Sequence, residues 1–466
     1  MPRSPSLSFL LAFSLALTLA ACGGGQETSP PPKAPAMGSL FVVATDAPLP
    51  SVLSFQVTLT GMTLSDGSQS VAVLPEPQAV EFARLLGLRT LLSLSEVPAG
   101  TYTSVSLTLA SPVISWLDLS TSPASVQNLN GQLTQSNVTL TLEPALVVGA
   151  GGLAGLHMHF DLRASLLLDA SGQITGQVNP QLRFRAIPPE AEDAYIDELR
   201  GGVSTVEASA NRFRLQTRRG RLITIYVNDQ TQFDPGESLT TLDANAIVQI
   251  AGRFQLDGSI RADEVHVLTR ERFVLGGLVI DPDPPAGPAE RVYLLVQEEL
   301  PDLVETGVGQ VAKVEFEPDT YFGIHDGGLP LADLLFNRGA LVRGQRITLG
   351  GRLDTSTSPP SLHTRRAILH FQGLDSHWVP GSTHIAFGNT GWFLVQVHGL
   401  GGYLFGEPLL VRTSAITRWR GLAGLEDLNG DKPIQLLVCG LLLRHSGTDD
   451  PVLVAGRVVR LPLPLL

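Results

Sequence analysis

The segment LHMHFDL sets His157, His159 and Asp161 at alternate positions, and alternation along a strand puts all three side chains on one face. Two imidazoles and a carboxylate form a donor set for zinc or another divalent metal, with one position left open. Against that, successive same-face positions on one strand converge poorly, and an aspartate at a strand end also serves to hold a turn or cap. Trp378, Trp392 and Trp419, with Tyr403, enrich the last stretch in aromatic rings. Trp378 and Trp392 are the candidate platforms for a sugar, whereas Trp419 aligns with Phe233 and Phe322 in a repeated pattern and reads as structural. DLNGD spaces Asp427, Asn429 and Asp431 as a calcium loop begins, but the closing position holds Val438 rather than glutamate, so a polar turn is expected. No G-x-S-x-G elbow and no activated Cys/His pair relates a nucleophile to a base. No catalytic residue and no cofactor is therefore expected, and the chain reads as non-enzymatic.

Cys22 is a different kind of chemical candidate. Arg3, the apolar stretch from Leu7 to Ala21 and the small residues before Cys22 read as an export signal over residues 1–21, too short for an ordinary spanning helix of roughly 20 apolar residues. Leu19-Ala20-Ala21-Cys22 resembles the lipobox of bacterial lipoproteins. That resemblance implies cleavage before Cys22, diacylglycerol on its thiol and acylation of the new amino terminus, which together give stable anchoring. Gly23 is not the aspartate linked with inner-membrane retention in such proteins, which implies the outer membrane where the host has one. Residues 22–37 continue as a Gly, Ser and Pro-rich tether that cannot build a core.

Composition bounds the rest. The chain has 466 residues, 47 glycines, 33 prolines and 16% charged residues, which favours an all-β protein of several domains over a helical bundle. Its formal net charge of −12 argues against nucleic acid as a partner. That bears on NRFRLQTRRGRLI, where Arg212, Arg214, Arg218, Arg219 and Arg221 surround Phe213. An acidic envelope polymer or a solvated hairpin tip suits that cluster better than a nucleic acid. The second cysteine, Cys439, lies in the apolar run IQLLVCGLLL and is expected to be a small buried hydrophobe.

Residues 38–187 alternate β-like runs with turns and read as a β-sandwich. One segment, VEFARLLGLRTLLSL, has leucines near helical spacing and is expected to form a short helix or a crossover between sheets. Thr45-Asp46-Ala47-Pro48, Pro98-Ala99-Gly100-Thr101-Tyr102, Phe160-Asp161 and Ser165-Leu166 give this region its resemblance to the bacterial family called domain of unknown function 4382. The resemblance implies architecture and an envelope context, without an established chemistry. The acidic stretch IPPEAEDAYIDEL then reads as a linker.

After it a pattern recurs three times. VNDQTQF, FEPDTYF and TSAITRW end at Phe233, Phe322 and Trp419, and each is followed by a strand with a glycine, a turn and a closing strand. The period suits three small OB-like β-barrel modules over residues 200–273, 274–374 and 375–464. Gly252, Gly351 and Gly440 should sit where a strand bends or is closely approached. These units resemble domain of unknown function 5666. The expected protein is thus a lipid-anchored envelope protein with a sandwich and three barrels, binding or scaffolding an envelope glycan or protein. A carbohydrate-binding accessory to a hydrolase and a metal-binding exported protein are the alternatives.

Overall fold

The computed structural model describes residues 35–47, 52–118, 125–170, 173–218, 220–244, 246–285, 287–300, 307–325, 327–354, 356, 361–398, 407–446 and 450–461. Cys22, Tyr403 and Arg219 lie outside them. Nearly all regular structure is strand, with one four-residue α-helix, Leu162–Ser165, and short 3-10 turns among the described residues. The all-β expectation holds. No helix among them is long and apolar enough to cross a membrane.

The strand Met37–Ala47 shows how the first domain is built. Its residues Leu40–Ala44 are buried without alternation, as happens when both faces of a strand are covered. Leu40, Val42 and Ala44 enter the sandwich core with Phe55 and Val57 of Val52–Ser65, Val105 and Leu107 of Gly100–Asp118, and Met158 and Phe160 of Leu153–Asp161. Phe41 and Val43 point the other way into the core of the first barrel, where Phe41 stacks on Phe254 with ring centroids 4.5 Å apart. One sheet runs Leu182–Ile187, Leu153–Asp161, Met37–Ala47, Thr90–Pro98; the other is centred on Val52–Ser65 and Gly100–Asp118.

The leucine-rich segment is a crossover and not an α-helix. Gln78–Glu81 pairs in the second sheet, Ala83–Leu85 makes a single 3-10 turn, and Thr90–Pro98 joins the first sheet. Gly87 takes a positive φ of 72°, which ends helical winding. The buried Glu81 carboxylate fixes the turn by accepting the N–H groups of Phe55 at 2.7 Å and Arg84 at 2.8 Å.

Three rings of five strands follow, and all use one pairing order, first-second-third-fifth-fourth and back to the first. In the first ring these strands are Ile196–Glu207, Arg212–Thr217, Leu222–Tyr226, Ile247–Phe254 and Ile260–Thr269. The second, a closed barrel, uses Phe273–Asp283, Arg291–Leu300, Val311–Ile324, Arg346–Asp354 and Ser361–Leu369. The third uses Gln372–Trp378, Thr390–Val397, Leu409–Thr413, Gln435–His445 and Pro451–Arg460. In each, third and fifth strands run parallel.

The repeated residues do repeated work. Thr231, Thr320 and Thr417 each donate a 2.8 Å hydrogen bond to a carbonyl of the fifth strand. Phe233, Phe322 and Trp419 each pair in parallel with that strand two residues later. Gly252, Gly351 and Gly440 each mark a shift of register between fourth and fifth strands, where a Cβ would overlap the carbonyl oxygens of Arg261, His363 and Val454.

The acidic stretch after Ile187 is not a free linker. Ile196–Glu207 already belongs to the first ring, and Glu198 in it is buried against Arg346 of the second barrel at 2.6 Å. Further contacts tie the modules together. Gln297 donates to the Leu53 carbonyl of the sandwich at 3.1 Å, and Gln345 of the second barrel donates to the Leu442 carbonyl of the third at 3.0 Å.

Candidate functional site

Leu153–Asp161 sends Leu156, Met158 and Phe160 into the core, so His157, His159 and Asp161 share the opposite face. The two imidazoles converge on one hydroxyl: His157 Nε2 lies 3.1 Å and His159 Nδ1 3.2 Å from Thr45 Oγ1. Asp161 is committed elsewhere, accepting the Ala164 N–H at 2.9 Å as the cap of the short helix. Burial pushes the His157 imidazole down to about 4 and also lowers His159. The structure therefore brings together the histidines but not the carboxylate.

The two tryptophans part company. Trp378 is 1% exposed in the core of the third ring, its indole N–H donating to Thr383 Oγ1 at 3.0 Å. It packs and cannot present a face to a sugar. Trp392 is 40% exposed because Phe393, Val395 and Val397 take the inward positions of the same strand. Its direct cross-strand partners are His384 on one side and Arg412 on the other. The His384 ring stacks on the indole at 5.3 Å and 23°, and Arg412 has no ion pair among the described residues. Phe387, 86% exposed, and Ile385 extend the same hairpin. An indole with a guanidinium alongside can stack on the C–H face of a sugar ring and hold an acidic substituent.

Several of the other sequence candidates have structural partners. Asp427 accepts the Ala423 N–H at 2.5 Å, so DLNGD belongs to a turn. Arg212 pairs with Glu207 at 2.5 Å. Cys439 is buried and free, with Arg457 Nη2 at 3.6 Å from its sulfur.

A second constellation escaped sequence reasoning. Between the first and second barrels, Asp234, His266, His325, His370 and Gln249 are all buried. His266 Nδ1 lies 2.9 Å from Asp234 Oδ1, and its Nε2 lies 3.0 Å from Glu264 Oε2. Burial opposes a charge on His266, but the two carboxylates outweigh it and its pKa rises. The His325 ring stacks on His266 with centroids 3.1 Å apart, and His370 meets His325 edge-on at 4.6 Å. Burial holds both of these imidazoles well below the ordinary range. Gln249 Nε2 reaches each Nδ1 at only 3.5 Å, the long limit for a hydrogen bond. No local spacing announces this cluster, since its residues come from separate strands. The available signal was a histidine in the closing strands DEVHV and RRAILH of two successive repeats.

Comparison with known families agrees with the two regions read from the sequence. Residues 37–175 match the model described as Domain of unknown function (DUF4382), and residues 200–266 match that described as Domain of unknown function (DUF5666). No curated protein and no solved structure matches the chain. Two of the residues that carry the first likeness lie in strands and hold backbone groups at the ends of elements. Asp46 accepts the Leu162 N–H at 3.3 Å, and the Tyr102 hydroxyl donates to the Pro98 carbonyl at 2.7 Å.

Proposed function

We propose that this protein is a lipid-anchored component of a bacterial cell envelope, tethered through Cys22, whose fused β modules act as a non-catalytic binding body. Its partner is an acidic envelope polysaccharide, held on the outer face of the third ring. The observation that carries this reading is the cross-strand row His384, Trp392, Arg412, a half-exposed indole beside a guanidinium without an ion pair among the described residues. The tether follows from the lipobox-like residues 19–22, and the outer membrane is its expected place where the host has one.

The test is a titration of the full-length protein in detergent with acidic polysaccharide extracted from the host envelope. Trp392→Ala is expected to weaken binding by about two- to tenfold, since loss of a stacking contact is worth ~0.5–1.5 kcal/mol and about 1.4 kcal/mol is a factor of ten. Arg412→Gln should weaken it comparably and reduce its dependence on salt. Binding unchanged by Trp392→Ala contradicts the proposal.

A further inference from the structure

We infer that the seam between the first and second barrels is a structural site for a divalent transition metal of the zinc class, with Asp234, His266 and His325 as ligands. Each offers one ligand atom, and these atoms lie within 4.8 Å of one another. The three side chains come from different elements. Asp234 directly follows Gln232–Phe233, His266 lies in Ile260–Thr269, and His325 directly follows Val311–Ile324. An ion here joins two barrels. All three are more than nine-tenths buried, at 5%, 7% and 4% exposure, so the site is closed, as structural zinc sites are.

Unsatisfied nitrogen atoms point to a missing partner. His325 Nε2 and His370 Nε2 are buried with no hydrogen-bond partner among the described residues, although His325 and His370 are only 4% and 2% exposed. A buried polar atom left unpaired costs about 1–3 kcal/mol and calls for an explanation. A cation that accepts imidazole lone pairs supplies one. His370 lies edge-on against His325 with ring centroids 4.6 Å apart but is not one of the three converging ligands, so water would complete the coordination.

The donor set and its surroundings select the ion class. Two imidazoles with one carboxylate suit zinc and neighbouring transition ions, whereas calcium and magnesium require a shell of oxygens. His266 is oriented from behind by Glu264 on Nε2, leaving Nδ1 directed at Asp234. Asp234 is itself fixed through Oδ2 by the Val267 N–H at 2.9 Å and Arg366 at 3.2 Å. Carboxylate-backed histidine and hydrogen-bonded carboxylate are the usual outer supports of a metal ligand. The candidate metal-binding histidines of the sequence, His157 and His159, have Thr45 between them, while Asp161 caps the short helix, and they form no part of this site.

The experiment uses the full chain, stripped with chelator and then titrated with Zn(II) alone, with bound metal counted after desalting and unfolding followed by circular dichroism. Wild type should retain one zinc per chain and unfold at higher temperature with it. His325→Gln and Asp234→Asn should each weaken zinc binding by at least about 100-fold, the upper end of what removal of a mere outer support does. His157→Gln/His159→Gln should keep the zinc. Co(II) in place of zinc should give the intense visible bands of a low-coordinate site, lost in His325→Gln. If Asp234→Asn fails to fold, His325→Gln still decides, because it leaves the Asp234–Arg366 pair in place. Wild type without stoichiometric zinc, zinc retained by His325→Gln, or zinc lost from the His157/His159 variant would each overturn the inference.

Discussion

Glu198 concentrates the electrostatics of the protein into one side chain. It is buried, and Arg346 grips it through both oxygens at 2.6 and 2.7 Å, with Arg84 at 3.3 Å and Arg200 at 3.8 Å. Arg200 in turn pairs with Glu298. Burial alone would raise the Glu198 pKa, but the Arg346 and Arg200 charges and the Arg346 hydrogen bonds overcome it and hold it far below its ordinary value of 4.5. Glu198→Gln leaves Arg346 without its full counter-charge, and breaking a buried pair costs about 3–5 kcal/mol; urea unfolding should show that loss. Because the folded-state pKa is depressed, this stabilisation is present above pH 4.5 and disappears as pH falls below it. Wild type should therefore lose stability more steeply than Glu198→Gln on acidification below that point. A variant as stable as wild type at pH 7 would contradict the assignment. None of this was legible in IPPEAEDAYIDEL, which reads as an acidic linker, because the cation that buries Glu198 lies in another barrel.

At the scale of elements, repetition was the most informative signal. A single glycine in a strand says little, but Gly252, Gly351 and Gly440 stand at one place in three units, and the structure puts each at a register shift. Gly351→Ala should destabilise the protein by about 1–3 kcal/mol, the range for forced overpacking, because the obstructing atom is backbone and cannot rotate away. Thermal unfolding checks it, and a neutral effect would mean that the strand relaxes there. The aromatic ends of the three repeats were legible for the same reason. The segment around Ala83–Leu85 misled because leucine spacing reports periodicity but not the positive φ at Gly87. Trp378 and Trp392 could not be told apart by composition. Only the inward alternation of Phe393 and Val395 shows that Trp392 faces out.

For the whole molecule, the sequence suggested separate modules in a row, whereas the described residues show modules sharing cores. Phe41 and Val43 of the sandwich lie in the core of the first ring, and Leu441 and Val452 of the third pack with the second. The run SLFVVATDA carried a trace of this in its unbroken apolar character, but not the identity of what covers its second face. The same arrangement assembles the histidine cluster from two barrels and leaves the Trp392 hairpin exposed at a third. Cys22 and the tether as far as residue 34 lie outside the described residues, whereas Met37, at the end of the expected tether, already pairs with Pro98 as the first residue of a strand; the proposed role depends most on the residues outside. The decisive measurement is the intact mass and membrane fractionation of the protein expressed in a bacterial host, wild type against Cys22→Ser. The account predicts a mature chain beginning at Cys22, carrying acyl chains and sedimenting with membranes, with all three properties lost in the variant. A wild-type chain that is unacylated and remains in the soluble fraction would contradict it.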